Sequence, residues 1–465
     1  MKKSIMIMSA ALLTSSLSFA QFRATDKTGI NVFETPKTET TFEGVKVSLG
    51  GGFTQGFQTL QHTNEAVSKV VSSVDQNKLT PIRPGFNLAS ANLMLKTELA
   101  DGVALNMELY LAARHHNETW VKGGYIQFDK VPFLKLDFVD NIMQYTTIKV
   151  GQMEVNYGDA HFRRTDGGNA IYNPFVENHI IDEFATEIGV EADVNYNGFV
   201  GVLSVTNGLL KGNISVIDST FDTSTTPKTL ISAGKNNSSL IAKLGYDRQF
   251  TDDLRVRLTG SVYHNNGASS NTLLGGDRTG SNYFGVMDYA APSTANFTTG
   301  RYNPGLTDKI SALMCNLFVK FRGVEWFTTL ENISGRSKTE ATGDRKVNQF
   351  VTDLVYRFGS DENFWIGARY NTAVAQQYLS ADLPEVTAIP AGAPATSTAV
   401  TFGAVSKGMY DVNINRLAFS AGWFITKNVM AKIEYTNQNY GGFLYNDIRS
   451  KGNFNGIVAQ AVVGF

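Results

Sequence analysis

The chain has 465 residues, a formal net charge of −1 and a single cysteine, Cys315. Near-neutrality argues against nucleic acid as a partner, and a lone cysteine excludes any intrachain disulfide. Charged residues are only 18 % of the chain, below the quarter or so usual in soluble globular domains, so a different solvent for part of the surface has to be considered.

The chain begins Met1-Lys2-Lys3, continues with an apolar run over 5–17 and reaches Ser18-Phe19-Ala20. A positive end, a short apolar core and small residues at −3 and −1 predict a secretory signal peptide over 1–20. Residues 21–43 are then a short periplasmic tail, expected to be too small to plug a pore. After residue 20 no apolar run is long enough for a membrane-spanning helix.

From residue 44 onward one unit repeats: about ten residues of alternating polarity, a turn, a second such strand and a longer polar loop. The first strand places Val45, Val47, Leu49 and Phe53 on one face, with Lys46 and Ser48 opposite. After a loop over 61–84, Ala89, Ala91, Leu93 and Leu95 point outward while Asn92, Lys96 and Glu98 point inward. In the third strand Val103, Leu105, Met107, Leu109, Leu111 and Ala113 share a face, and Asn106, Glu108, Tyr110 and Arg114 share the other. A strand buried on both faces of a sandwich has no use for that charged face. Further strands are predicted over 120–128, 148–155, 184–194, 199–205, 240–246, 254–262, 310–321, 324–333, 347–358, 364–370, 412–423 and 429–435, with a last one reaching Phe465.

The fold predicted is all-β: a transmembrane antiparallel up-and-down barrel over 44–465, of about sixteen strands with short turns at one end and long loops at the other. In a bilayer without helices, only a closed sheet pairs every backbone N–H and C=O. A barrel of this size has a wet lumen. Aromatic residues near strand ends, among them Trp120, Trp326, Phe358, Trp423 and Tyr435, suit the membrane interface. Cys315 falls on an apolar face and reads as a small hydrophobe.

Residues 156–183 separate the fifth and sixth strands and carry Asp159, His161, Arg163, Arg164, Asp166, Glu177, His179 and Asp182. That stretch is too long for a hairpin turn and too polar for a core. It is expected to fold into the lumen as a constriction formed by His161, Arg163, Arg164, Asp166, Glu177 and His179. For Arg163-Arg164 two readings stay open, a cationic lip over the pore or ion pairs pinning the loop to wall carboxylates. The histidines and carboxylates lack any metal-ligand spacing, so no metal or other cofactor is expected. The pore wall is expected to include Glu108, Arg114, Lys149, Glu187, Arg255, Arg257, Arg357 and Arg369. Inward positions of both signs, with Lys96, Lys320, Arg416 and Lys432 facing Glu98, Glu191, Glu325, Asp353 and Glu434, do not support a purely anionic path.

Phe465, preceded by Ile457, Ala459, Ala461 and Val463 on one face, resembles the C-terminal signal read by the barrel assembly machinery of Gram-negative bacteria. Val150-Gly151-Gln152 leading to Tyr157-Gly158, the long third loop, and Gly189-Val190-Glu191 together resemble the phosphate-selective porin O/P family. The resemblance implies a sixteen-stranded homotrimer whose third loop enters the channel. It also implies an outer-membrane porin for passive diffusion of small hydrophilic solutes or ions, anions such as phosphate included. Its partners would be outer-membrane lipids, the assembly machinery and the solutes. The alternative is a non-channel barrel that binds a partner or assists secretion through its long loops, favoured if the third loop fills the lumen. An enzyme is not expected, because none of the six histidines stands in a nucleophile motif.

Overall fold

The computed structural model describes residues 23–465 except 36, 38–40, 113–118, 213–219, 223, 225, 227–228, 233–235, 290–297, 341–342 and 395. The expected signal peptide and Arg114 lie outside the described residues. One sheet joins seventeen segments, of which Gly85–Phe86 is only two residues long, leaving sixteen long strands. These are β1 (Lys46–Thr63), β2 (Ser90–Ala100), β3 (Val103–Ala112), β4 (Trp120–Phe128), β5 (Thr146–Glu154), β6 (Thr186–Tyr196), β7 (Phe199–Thr206) and β8 (Ser239–Gln249). There follow β9 (Leu254–Asn265), β10 (Lys309–Phe321), β11 (Val324–Arg336), β12 (Arg345–Phe358), β13 (Phe364–Leu379), β14 (Gly408–Phe424), β15 (Val429–Gly441) and β16 (Asn453–Gly464). Each pairs antiparallel with the next, and β1 closes on β16 from Gly52 opposite Gly464 to Thr63 opposite Asn453. The sheet therefore has no edge.

Alternation sets the two faces. Leu244, Leu258, Leu330 and Leu354 are exposed on the outside, while their chain neighbours Lys243, Arg257, Glu331 and Asp353 are buried within. An exterior of leucines over an interior of charges is the reverse of a water-soluble protein and fits a barrel in hydrocarbon. At the short-turn end Tyr356, Phe358, Phe364 and Trp423 stack in a row across neighbouring strands, with ring centroids 5.7–5.8 Å apart. Such a row belongs where hydrocarbon gives way to headgroups. Among the described residues no helix is long and apolar enough to cross a membrane; the strands do so. This is the architecture of the outer membrane, where closed sheets take the place of spanning helices.

Turn chemistry explains the short end. Asn197 (φ 49°) and Gly198 (φ 87°) are both left-handed, the backbone of a two-residue hairpin whose twist matches its strands. One connection at this end is longer and holds a short helix, α1 (Asp137–Met143), which the sequence reading did not anticipate.

Several strands run further toward the long loops than their alternation suggests. β1 ends at Thr63, β13 at Leu379 and β15 at Gly441. In those upper turns the outward positions become polar, as at Gln61, Asn437 and Asn439. The strand has left the hydrocarbon there, so the apolar period stops while the hydrogen-bonded ladder continues.

Among the described residues, much of the interior is taken up by the third loop between β5 and β6, the described part of the fifth loop between β9 and β10, and the N-terminal stretch from Arg23 to Glu34. The last corrects an expectation. The tail was expected to be too small to plug a pore, yet its residues Asn31 to Glu34 lie inside the short-turn end of the barrel. There Asn31 donates to Glu325 at 2.6 Å, Phe33 meets Phe318 edge-on at 5.4 Å, and Glu34 reaches Arg257 at 2.7 Å. Its length is small, but its amide, ring and carboxylate match groups that the wall presents.

Candidate functional site: the packed lumen and its remaining cavity

The wall is low where the third loop enters, because β5 and β6 end with Glu154 opposite Thr186. From there the chain crosses to the far wall. Gly158 (φ +71°) passes so close to β10 that a Cβ there would lie 2.1 Å from the Met314 sulfur. An irregular backbone at membrane depth needs protein partners for its amides, and the wall supplies them. Asn316 accepts from the Asp159 N–H (2.8 Å), Glu434 from Val176 (2.7 Å), Asn371 from Ile180 (2.7 Å) and Gln349 from Ile181 (2.9 Å). In the other direction, Lys432 donates to the carbonyls of Ala170, Asn173 and Phe175, and Arg416 to that of Asn178. Phe175 lies under the Arg369 guanidinium at 4.2 Å. The fifth loop packs above, with Asn282 accepting from Gln460 and the Tyr302 N–H donating to Ile180.

Two buried charge clusters hold this packing. In the first, Asp159 accepts from Arg257 twice (2.8 Å each) and from Thr259 (2.7 Å), with Lys243 at 3.3 Å. Glu34 of the tail joins the same pair of cations, so loop, tail and wall meet at one point. In the second, Arg164 is bidentate on Asp182 (2.6 and 2.9 Å) and also bonds Asp166, while Arg301 of the fifth loop bonds Glu177 (2.8 Å) and Asp182.

Not all of the lumen is filled. A cavity of about 280 Å³ lies between the inner surface of β3–β6 and the third loop and tail. Its lining carries Glu34, Glu108, Asp129, Glu154, Glu191 and Asp193 against Arg23, Lys122 and Lys149. Lys149 is shared by Glu191 (2.9 Å) and Asp193 (2.6 Å). Lys122 is shared by Glu108 (3.1 Å) and Asp277 of the fifth loop (3.3 Å), and Tyr110 donates to the same Asp277 at 2.7 Å. The fifth loop thus reaches one of the lining lysines through Asp277.

Among the residues singled out from sequence, Glu108, Lys149 and His161 line this cavity. Arg163 is buried against Phe327 (4.9 Å) and Asn31 (3.0 Å), with Glu325 at 3.9 Å. Arg164 bonds Asp166 within the third loop, Glu177 meets Arg301 of the fifth loop, and His179 is buried beside Arg163 and Arg164. Neither arginine forms a lip on the cavity, and only Arg163 touches a wall carboxylate. On the wall, Arg255 pairs with Asp247 (2.6 Å), Arg357 with Glu325 (2.7 Å) and Arg369 bidentately with Asp353 (2.6 and 2.7 Å). Glu187 accepts from Tyr263 at 2.8 Å, away from the cavity. The sequence reading did not single out Lys122, Lys243, Asp277, Arg301 or Glu34. Lys122 and Lys243 sit at inward places of alternating strands and were there to be read. For the fifth loop the signal is the unusual apolar content of a loop, with Leu273, Leu274, Tyr283, Val286 and Leu306 all buried.

The two readings of the paired arginines lead to different expected results. Arg164→Ala is expected to free the third loop and raise current noise in a planar bilayer, leaving the reversal potential in asymmetric salt unchanged. A shift of that potential toward cations would put the guanidinium on the conduction path instead.

No family model matches the chain, and no curated protein does. Among solved structures, an anion-selective porin from Comamonas acidovorans is similar at 9 % identity and a TM-score of 0.49, covering 90 % of this chain and 100 % of its own. The outer membrane channel DcaP of Acinetobacter baumannii is similar at 10 % identity and TM-score 0.47, covering 92 % and 99 %. OmpT, an outer membrane protein of Vibrio cholerae, is similar at 9 % identity and TM-score 0.46, covering 92 % and 99 %.

Proposed function

We propose that this protein is an outer-membrane porin, a passive diffusion channel for small hydrophilic solutes, and that its path is the cavity along β3–β6. The observation that carries this reading is the division of the lumen. One side is packed by loops whose amides and charges are paired, while the other keeps an unfilled space walled by charged side chains. A purely structural interior has no reason to keep such a space beside so many carboxylates.

The tail makes this testable. Arg23 donates to the Gly29 and Phe162 carbonyls, lies over the Tyr172 ring at 3.6 Å and lines the cavity. In planar bilayers the protein is expected to conduct in small unitary steps. A deletion of residues 23–34 is expected to enlarge those steps, because it removes one wall of the path. Equal steps with and without the tail would place conduction elsewhere.

The extent of loop packing favours a second reading, a barrel that binds a partner through its long loops. Absence of conductance from both proteins would favour it. The homotrimer, and the phosphate-selective family itself, remain proposals drawn from the sequence resemblance; chemical crosslinking in the membrane tests the first. Phe465 as an assembly signal is a proposal of the same kind. Its backbone pairs with Gly51 in both directions (2.8 and 3.0 Å) while its ring stays 59 % exposed, within reach of a partner.

A further inference from the structure

From the lining of the cavity we infer that the channel prefers small cations, the opposite sign to the anions that the family resemblance implies. This inference rests on the diffusion-channel reading above and deepens it.

The argument concerns which charges remain uncompensated at the path. The cations of the packed side are occupied. Arg257 and Lys243 are committed to Asp159 and Glu34, Arg369 to Asp353, Arg357 to Glu325, and Arg164 and Arg301 to the carboxylates of the loops. None of these six lines the cavity. The two lysines that do are each divided between two carboxylates. Lys149 between Glu191 and Asp193 leaves one net negative charge, while Lys122 balances Glu108, its second carboxylate, Asp277, lying outside the lining.

Glu154 adds a second. Its closest basic neighbour is His161, 3.5 Å away, which spends its other ring nitrogen on Asn156 at 3.0 Å. The Glu154 Oε1 has no hydrogen-bond partner. One Asp193 oxygen is likewise without one, on a side chain more than nine-tenths buried at the cavity. Asp129 is left out of this account because Lys37 and Lys96 stand near it. Against these two excess negatives stands Arg23, whose guanidinium is held on Tyr172. A narrow space with low-dielectric walls focuses such an imbalance on any ion within it.

The test is the reversal potential of the full-length protein in a planar bilayer under a KCl gradient. The expected sign corresponds to potassium crossing more readily than chloride. Raising the salt on both sides to about 1 M, where the Debye length falls to about 3 Å, is expected to reduce the preference without any change to the protein. Glu108→Gln together with Glu154→Gln is expected to lower the potassium-to-chloride permeability ratio severalfold, both side chains being a quarter or more exposed and tolerant of the change. Glu362→Gln, at a turn remote from the cavity, is expected to leave the ratio unchanged. Conductance with no preference, or with chloride preferred, overturns the inference and leaves the channel standing. Equal ratios for the double variant and the wild type overturn the assignment to these carboxylates. Absence of conductance in any form of the protein overturns the channel reading and this inference with it.

Discussion

Asp159→Ala is expected to destabilise the folded barrel by about 3–5 kcal/mol, the cost of leaving buried cations without their partner. Asp159 is fully buried and is the one group of the third loop that meets Arg257, Lys243 and Thr259 together. Its removal leaves Glu34 and Asp247 to hold both cations, the latter only at 3.3 Å from Arg257. The midpoint of urea unfolding, followed by the mobility of folded and unfolded forms on gels, measures the effect. Asp159→Asn keeps the acceptor for Thr259 and loses the charge, so it separates the two contributions. If the alanine variant unfolds at the wild-type midpoint, the cluster is not what fastens loop and tail to the wall.

The second large effect lies on the outside. Leu244 stands at the middle of β8, opposite Gly201 and Gly260, and is 75 % exposed. In a barrel placed as this one is, that exposure is to hydrocarbon. Leu244→Arg is therefore expected to cost about 2–4 kcal/mol, the figure for a guanidinium near the bilayer midplane. Thr147→Arg, at a cavity-lining position that shares the inward face of Lys149 and stands beside Asp129, is expected to cost little. Unfolding midpoints in lipid vesicles compare the two, and equal midpoints would overturn the assignment of inside and outside.

Much of the architecture was legible because a barrel in a bilayer repeats one rule at every strand. Leu244 beside Lys243, or Leu258 beside Arg257, states which way the sheet faces without help from any neighbour. Legibility ended where the rule did. The upper turns of β1, β13 and β15 are polar outside as well as inside, so their strands looked shorter than they are. The helix Asp137–Met143 is brief, presents Phe138 and Ile142 to the surroundings, and has no side-chain cap to announce it.

The site was harder. Alternation shows that Arg369 or Lys149 points inward but not which carboxylate answers it across the strand. Within the third loop the paired arginines attracted notice as charges. The structure spends Arg164 on Asp166 and Asp182 of the same loop, a partnership that depends on how the loop folds back. The tail was misread for a related reason. Asn31, Phe33 and Glu34 are unremarkable in a row and acquire meaning only beside Glu325, Phe318 and Arg257, more than two hundred positions away.

That remoteness bears on the order in which the molecule is made. The seam between β1 and β16 and the Thr25 hydroxyl bonded to the Phe465 carbonyl join parts of the chain up to 440 residues apart. Contacts so distant form slowly, since the entropy of closing the loop is lost before any contact rewards it. The groups that bind Asn31, Phe33 and Glu34 come from β8 to β11, and the backbone of the third loop is held by β10 and β12 to β15. Neither segment has a complete berth until most of the sheet exists. A partly zipped sheet would therefore carry its third loop and tail unmoored, with Asp159 and Arg257 still in water. The charged contacts of the interior then form late, and contacts that form late slow unfolding more than they speed assembly.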